Sequence, residues 1–111
     1  MYNWKELLTE QDVDDLIVKS AERPQLIFKH SVSCGISAHA LFKLEEGTDT
    51  LLKKADANYL NLLRHRNVSN YIARIFSVTH QSPQVIILKN GRPVYSTSHH
   101  AISVKSILEK L

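Results

Sequence analysis

Only one cysteine, Cys34, occurs in the 111 residues, so no disulfide can close within the chain. That scarcity excludes a disulfide-stapled scaffold and points to a reducing compartment, with the cytoplasm as the expected location. Glycine and proline are also sparse, at three each, and no low-complexity stretch, internal repeat or linker interrupts the sequence. No apolar run approaches the roughly 20 residues that cross a bilayer, so no membrane partner is expected. Met1-Tyr2-Asn3-Trp4-Lys5-Glu6 leads into no apolar segment and does not read as a signal peptide. Acidic residues are nearly missing from the second half. Residues 57–111 carry seven Lys/Arg and one Asp/Glu, while residues 1–56 carry seven and ten. The net charge of +3 is therefore a balance of −3 and +6, and four of the six histidines lie in the basic half. Two readings stay open: a basic face for an anionic ligand, or compensation of an acidic first helix. Lys and Arg form no clustered run and no aromatic platform motif accompanies them, so nucleic acid is not an expected partner.

What is present is an ordinary globular composition, 43% hydrophobic and 23% charged, long enough for one core. A single domain over 1–111 is expected. Thr9 with Asp12 reads as a capping box, and Val13, Leu16 and Ile17 form a one-sided apolar stripe that must end before Pro24. Residues 25–30 are apolar on consecutive positions and read as a strand buried on both faces. Ile36, Ala40, Leu41 and Leu44 predict a helix over 35–46, with Gly47 as its stop. Residues 58–64 have strand character, and 68–77 return to helical spacing. Val85-Ile86-Ile87-Leu88 is the strongest strand signal. Asn90-Gly91 predicts a hairpin turn, and Pro93 suits a return strand at a sheet edge. Ser103 caps a last helix carrying Val104, Ile107 and Leu108. The expected order is αβαβαββα, a four-stranded mixed sheet in an α/β fold flanked by helices on both faces.

The cysteine sits where the first strand hands over to a helix. At a helix start, backbone N–H groups and the helix dipole favour a thiolate. Three residues on, where a redox dithiol carries its second cysteine, stands Ser37. Cys34-x-x-Ser37 is thus a nucleophile without an internal resolving thiol. The N–H groups of Ile36 and Ser37 and the Ser37 hydroxyl are expected to stabilise its thiolate. His30 is a candidate for orienting the site, Lys29 reads as a solvated strand residue, and His39 as a surface one.

Cysteine after the first strand and Ser82-Pro83-Gln84-Val85-Ile86-Ile87-Leu88-Lys89-Asn90-Gly91 together resemble the thioredoxin fold. The resemblance implies a cis Ser82–Pro83 bond, with the Ser82 backbone facing Cys34. It also implies that the loops bearing His80 and His99-His100 border the cysteine. Phe28-Lys29-His30-Ser31 followed by Cys34-x-Ile36-Ser37 looks like the YtxJ family, the monothiol bacilliredoxins of the bacillithiol system. That family's usual motif is Thr-Cys-Pro-Ile-Ser; here Ser33 and Gly35 replace the threonine and proline.

This resemblance implies a monothiol thiol–disulfide oxidoreductase acting in cell redox homeostasis. Cys34 and Ser37 would be catalytic, and Pro83, Ser82, His30, His99 and His100 would contribute to binding. No permanently bound cofactor or metal is expected; bacillithiol or a similar small thiol is the co-substrate. The expected partners are S-thiolated client proteins and a reducing thiol or dithiol. Two alternatives stay open. Cys34-Gly35-x-Ser37 is also the form seen in monothiol glutaredoxins, which implies iron–sulfur cluster binding. A thioredoxin-like interaction module with an inert cysteine is the other.

Overall fold

A computed structural model describes residues 3–111. The chain runs β1 (Lys5–Glu6), α1 (Glu10–Lys19), β2 (Gln25–His30), α2 (Gly35–Glu46), α3 (Thr48–Leu52) and β3 (Asp56–Asn61). It continues through α4 (Arg66–Phe76), β4 (Gln84–Lys89), β5 (Arg92–Ser98), a 3-10 turn at His99–Ala101 and α5 (Val104–Lys110). One sheet has the strand order β1-β3-β2-β4-β5. β1, β3 and β2 run parallel, and β4 and β5 return antiparallel. This is the arrangement that the thioredoxin resemblance implies, with five strands where four were expected. The addition, β1, is two exposed residues long and pairs only with Asn58 and Tyr59. So short a strand carries no alternation to read.

β2 occupies the centre and is buried along its whole length. Its alternate side chains enter two different cores, which is why the run is apolar on consecutive positions. Leu26 and Phe28 pack with Ala40 and Leu44 of α2, Leu51 of α3 and Ile107 of α5. Ile27 packs on the opposite face with Val13 and Leu16 of α1 and Val68 and Ile72 of α4. β4 divides in the same way, with Val85 and Ile87 on one face and Ile86 and Leu88 on the other.

The local signals act largely as read. Thr9 and Asp12 form a reciprocal capping box, with Asp12 N–H donating to Thr9 Oγ1 at 3.1 Å and Thr9 N–H to Asp12 Oδ2 at 3.1 Å. Ser103 accepts from Ser106 N–H at 3.1 Å. Asn90 and Gly91 both have positive φ, 52° and 76°, as a two-residue hairpin turn requires.

Boundaries differ where tertiary pairing decides them. β3 is Asp56–Asn61 and not 58–64, because its partner β2 ends at His30 opposite Asn61. Gly47 does not adopt the left-handed stop; its φ is −100°, and α3 begins directly after it. Its lack of a side chain serves packing: a Cβ there would lie 2.5 Å from Val104 Cγ2 of α5. Val104 is β-branched and has little freedom to turn away. Gly47→Ala should therefore lower unfolding free energy in urea by about 1–3 kcal/mol. The loss should shrink in a Val104→Ala background, whereas an equal loss in both backgrounds would place its cause elsewhere.

Candidate functional site

Cys34 is the N-cap of α2, in extended conformation (φ −107°, ψ 123°). A tight turn precedes it, closed by Cys34 N–H donating to Ser31 C=O at 3.1 Å. The helix then begins with Ala38 N–H on Cys34 C=O at 3.0 Å. No side chain caps the helix, and its first turn contains no acidic residue. Cys34 thus stands at an uncapped helix start with no carboxylate from that turn to oppose a negative charge. Cys34 is partly exposed, between the exposed side chains of Val32 and Ile36.

Ser37 is fully buried. Its Oγ accepts the Ser31 N–H at 3.0 Å and lies 2.6 Å from His30 Nδ1. Among the described residues this hydroxyl makes no hydrogen bond to Cys34, contrary to the direct contact expected from the sequence. It closes the strand-to-helix turn instead. His30 belongs to the same closure. Its ring is buried, packed between Phe28 and Tyr59 with centroids 5.6 and 5.8 Å away. Burial holds His30 below its usual pKa, so the neutral ring is the relevant form near pH 7. It sits behind the thiol turn and not on an exposed rim.

The segment leading into β4 provides the opposite wall. Ser82–Pro83 is cis, as the thioredoxin resemblance implies, and Pro83 is buried. The Ser82 hydroxyl is buried without a hydrogen-bond partner among the described residues. Pro83 C=O accepts from His99 N–H at 3.0 Å, and the His99–Ala101 turn packs on α2. The main chain of His99 is thereby held to Pro83. His39 is exposed on α2. Among the described residues no three His, Cys, Asp or Glu side chains converge as a metal-binding group.

Lys29 was expected in solvent and is instead fully buried. β2 is central, so both its faces are covered, and Lys29 points toward α4 on the side away from His30. Its Nζ donates to Ser69 C=O at 3.2 Å and lies 3.3 Å from His80 Nδ1. Sequence reading missed this trio because a lysine inside an apolar strand looks like a strand end. The available signal was the unbroken burial implied by its neighbours.

The family comparison adds to this geometry. Residues 5–107 match the family described as monothiol bacilliredoxin BrxC. The chain belongs to that family. A solved structure described as a candidate oxidoreductase with a thioredoxin fold is similar at 28% identity and TM-score 0.87, covering 97% of this chain and 93% of that one. Thioredoxin from Fasciola hepatica superposes with TM-score 0.72 at 19% identity, over 95% and 93% of the two chains. Thioredoxin O2 from Arabidopsis thaliana gives 0.76 at 15% identity, over 98% and 94%. These last two establish shared fold alone. For this bacilliredoxin-family chain, membership and fold together support a thiol redox role. No helix among the described residues is long and apolar enough to cross a membrane.

Two measurements probe the environment of the thiol turn. A Cβ at Gly35 would meet nothing within 4 Å, and the residue is the first of α2. Gly35→Pro should raise stability by about 0.4–1 kcal/mol in chemical denaturation; a loss would mean that the turn needs glycine's freedom. Burial also drives Lys29 down from 10.5 to about 8. A depressed lysine penalises the fold while it is protonated. That penalty is complete below pH 8 and lifts as pH rises toward 10.5. Lys29→Met should therefore be more stable than wild type at neutral pH, by up to about 3 kcal/mol. The gap should close between pH 8 and 10.5; a gap that ignores pH contradicts the assignment.

Proposed function

We propose that this protein removes bacillithiol, or a similar small thiol, from mixed disulfides on client proteins, with Cys34 as nucleophile. The observation that carries the reading is a lone, partly exposed cysteine at an uncapped helix start, with serine in the resolving position. The Cys34 thiolate attacks the small-thiol sulfur of the mixed disulfide. The sulfur–sulfur bond of the mixed disulfide breaks, the client leaves as a thiolate that takes a proton from solvent, and Cys34 holds the small thiol as a new disulfide. Net oxidation state is conserved: one disulfide is exchanged for another. Since the chain holds no second cysteine, an external thiol or dithiol must then attack this adduct and release Cys34.

The N–H groups of Ile36 and Ser37 lie in the first turn of α2, directly after Cys34, and are the proposed thiolate donors. Ser37 acts through the turn: by tying Ser31 and His30 together it fixes where Cys34 stands. Ser82 offers its main chain to the incoming disulfide beside Pro83. His99 and His100 are the proposed polar contacts for the carboxylates of bacillithiol's malate group.

The test is exchange on a bacillithiolated client protein. Wild type should liberate the client thiol, and Cys34→Ala should abolish this. Persisting release in Cys34→Ala would refute the reading. Ser37→Ala should retain exchange at a reduced rate and lose about 1–3 kcal/mol of stability, because Ser31 N–H and His30 Nδ1 lose their buried partner. Unchanged stability would mean that another group replaces the hydroxyl.

A further inference from the structure

The exchange chemistry makes no use of Lys29, a lysine buried in the central strand with no carboxylate partner. Among the described residues the one ion pair is Arg23–Asp56, far along the sheet at the other end of β2. A lysine side chain has donors and no acceptor, so His80 Nδ1 must accept from it and the His80 proton resides on Nε2. Ser69 Oγ lies 3.3 Å from the same nitrogen. His80 belongs to the segment between α4 and β4 that delivers Ser82 and Pro83. A second buried side chain, Gln84, holds that segment too. Its Nε2 donates to Thr79 C=O at 3.0 Å, and its Oε1 accepts from Gln81 N–H at 3.4 Å. Gln84 and Lys29 are cross-strand partners, so one rung of the sheet grips the segment at two points. An unpaired buried cation normally destabilises a protein, and this one touches the loop that forms a wall of the thiol site.

We infer that Lys29 and His80 are positioning residues: Lys29 anchors the His80 ring, and the anchored ring fixes the segment that sets Ser82 and Pro83 beside Cys34. The inference rests on the exchange function proposed above. It also makes the anchor sensitive to pH. His80 is exposed at the surface; the partial burial of its ring, and then the cations that face it, Lys29 from β2 and Arg66 from α4, disfavour its protonation. When His80 does take a proton, Nδ1 stops accepting and three positive charges meet. The anchor then releases as the medium becomes acidic.

The experiment is steady-state exchange on a bacillithiolated client between about pH 5 and 8, using wild type, Lys29→Met, His80→Leu and His80→Asn. Circular dichroism confirms that each variant is folded. Lys29→Met and His80→Leu should lower kcat/KM about 10- to 100-fold, chiefly through KM. Iodoacetamide labelling of Cys34 should stay near the wild-type rate in both. His80→Asn keeps an amide oxygen that accepts from Lys29 and should retain most of kcat/KM. The ratio of wild type to His80→Asn should fall toward acidic pH, because only His80 titrates, whereas thiolate protonation is common to both. Wild-type kcat/KM in Lys29→Met and His80→Leu, or a ratio independent of pH, would overturn the inference. If wild type itself fails to exchange, the functional reading is what fails. The anchor is then judged by amide hydrogen exchange over residues 79–83: faster in Lys29→Met supports it, and equal rates overturn it.

Discussion

The buried hydroxyl of Ser37 holds the end of β2 to the start of α2, and the candidate site depends on that closure. Through it, Ser31 N–H and the His30 ring are bound to the first turn of the helix. Cys34 lies inside the closed turn and has no freedom to drift away from the helix N-terminus. A buried hydroxyl with two partners is an economical fastener, but removing it strands both partners in a dry environment. The same constraint explains why the sulfur can be partly exposed and yet fixed in place: the turn is held from below, leaving its upper surface, with Val32 and Ile36, open.

The sheet brings the second half of the site to the first. β2 and β4 are antiparallel neighbours, so the C-terminal end of one meets the N-terminal end of the other. Cys34 follows β2 and Pro83 precedes β4, which sets thiol turn and proline segment side by side. β5 extends the contact, since His99 N–H bonds to Pro83 C=O. Electrostatics fits this geometry. The first turn of α2 lacks acids. A site built this way suits negative charge, whether on sulfur or on a ligand.

The legible parts of this fold are those fixed locally. Thr9 with Asp12, Asn90-Gly91 and Ser103 act through bonds within a few residues, so their meaning does not depend on the rest of the chain. The double burial of 25–30 was readable because a central strand must be apolar on both sides. Long-range pairing hid the rest. The end of β3 is set by where β2 stops, β1 exists only through its pairing with β3, and Gly47 is dictated by Val104 nearly sixty positions later. At the site, sequence identified Cys34, Ser37 and Pro83 as neighbours. It misplaced the Ser37 hydroxyl and Lys29, because which way a polar side chain turns depends on partners that spacing does not reveal.

The central claim is that Cys34 takes a small thiol from a client and keeps it until an outside reductant arrives. Intact-mass analysis after one turnover with a bacillithiolated client tests this most directly. The account predicts that the client loses the mass of bacillithiol and that this protein gains it at Cys34, with the adduct persisting until a thiol is added. A client freed while Cys34 stays unmodified, or a client that retains its adduct, would contradict it.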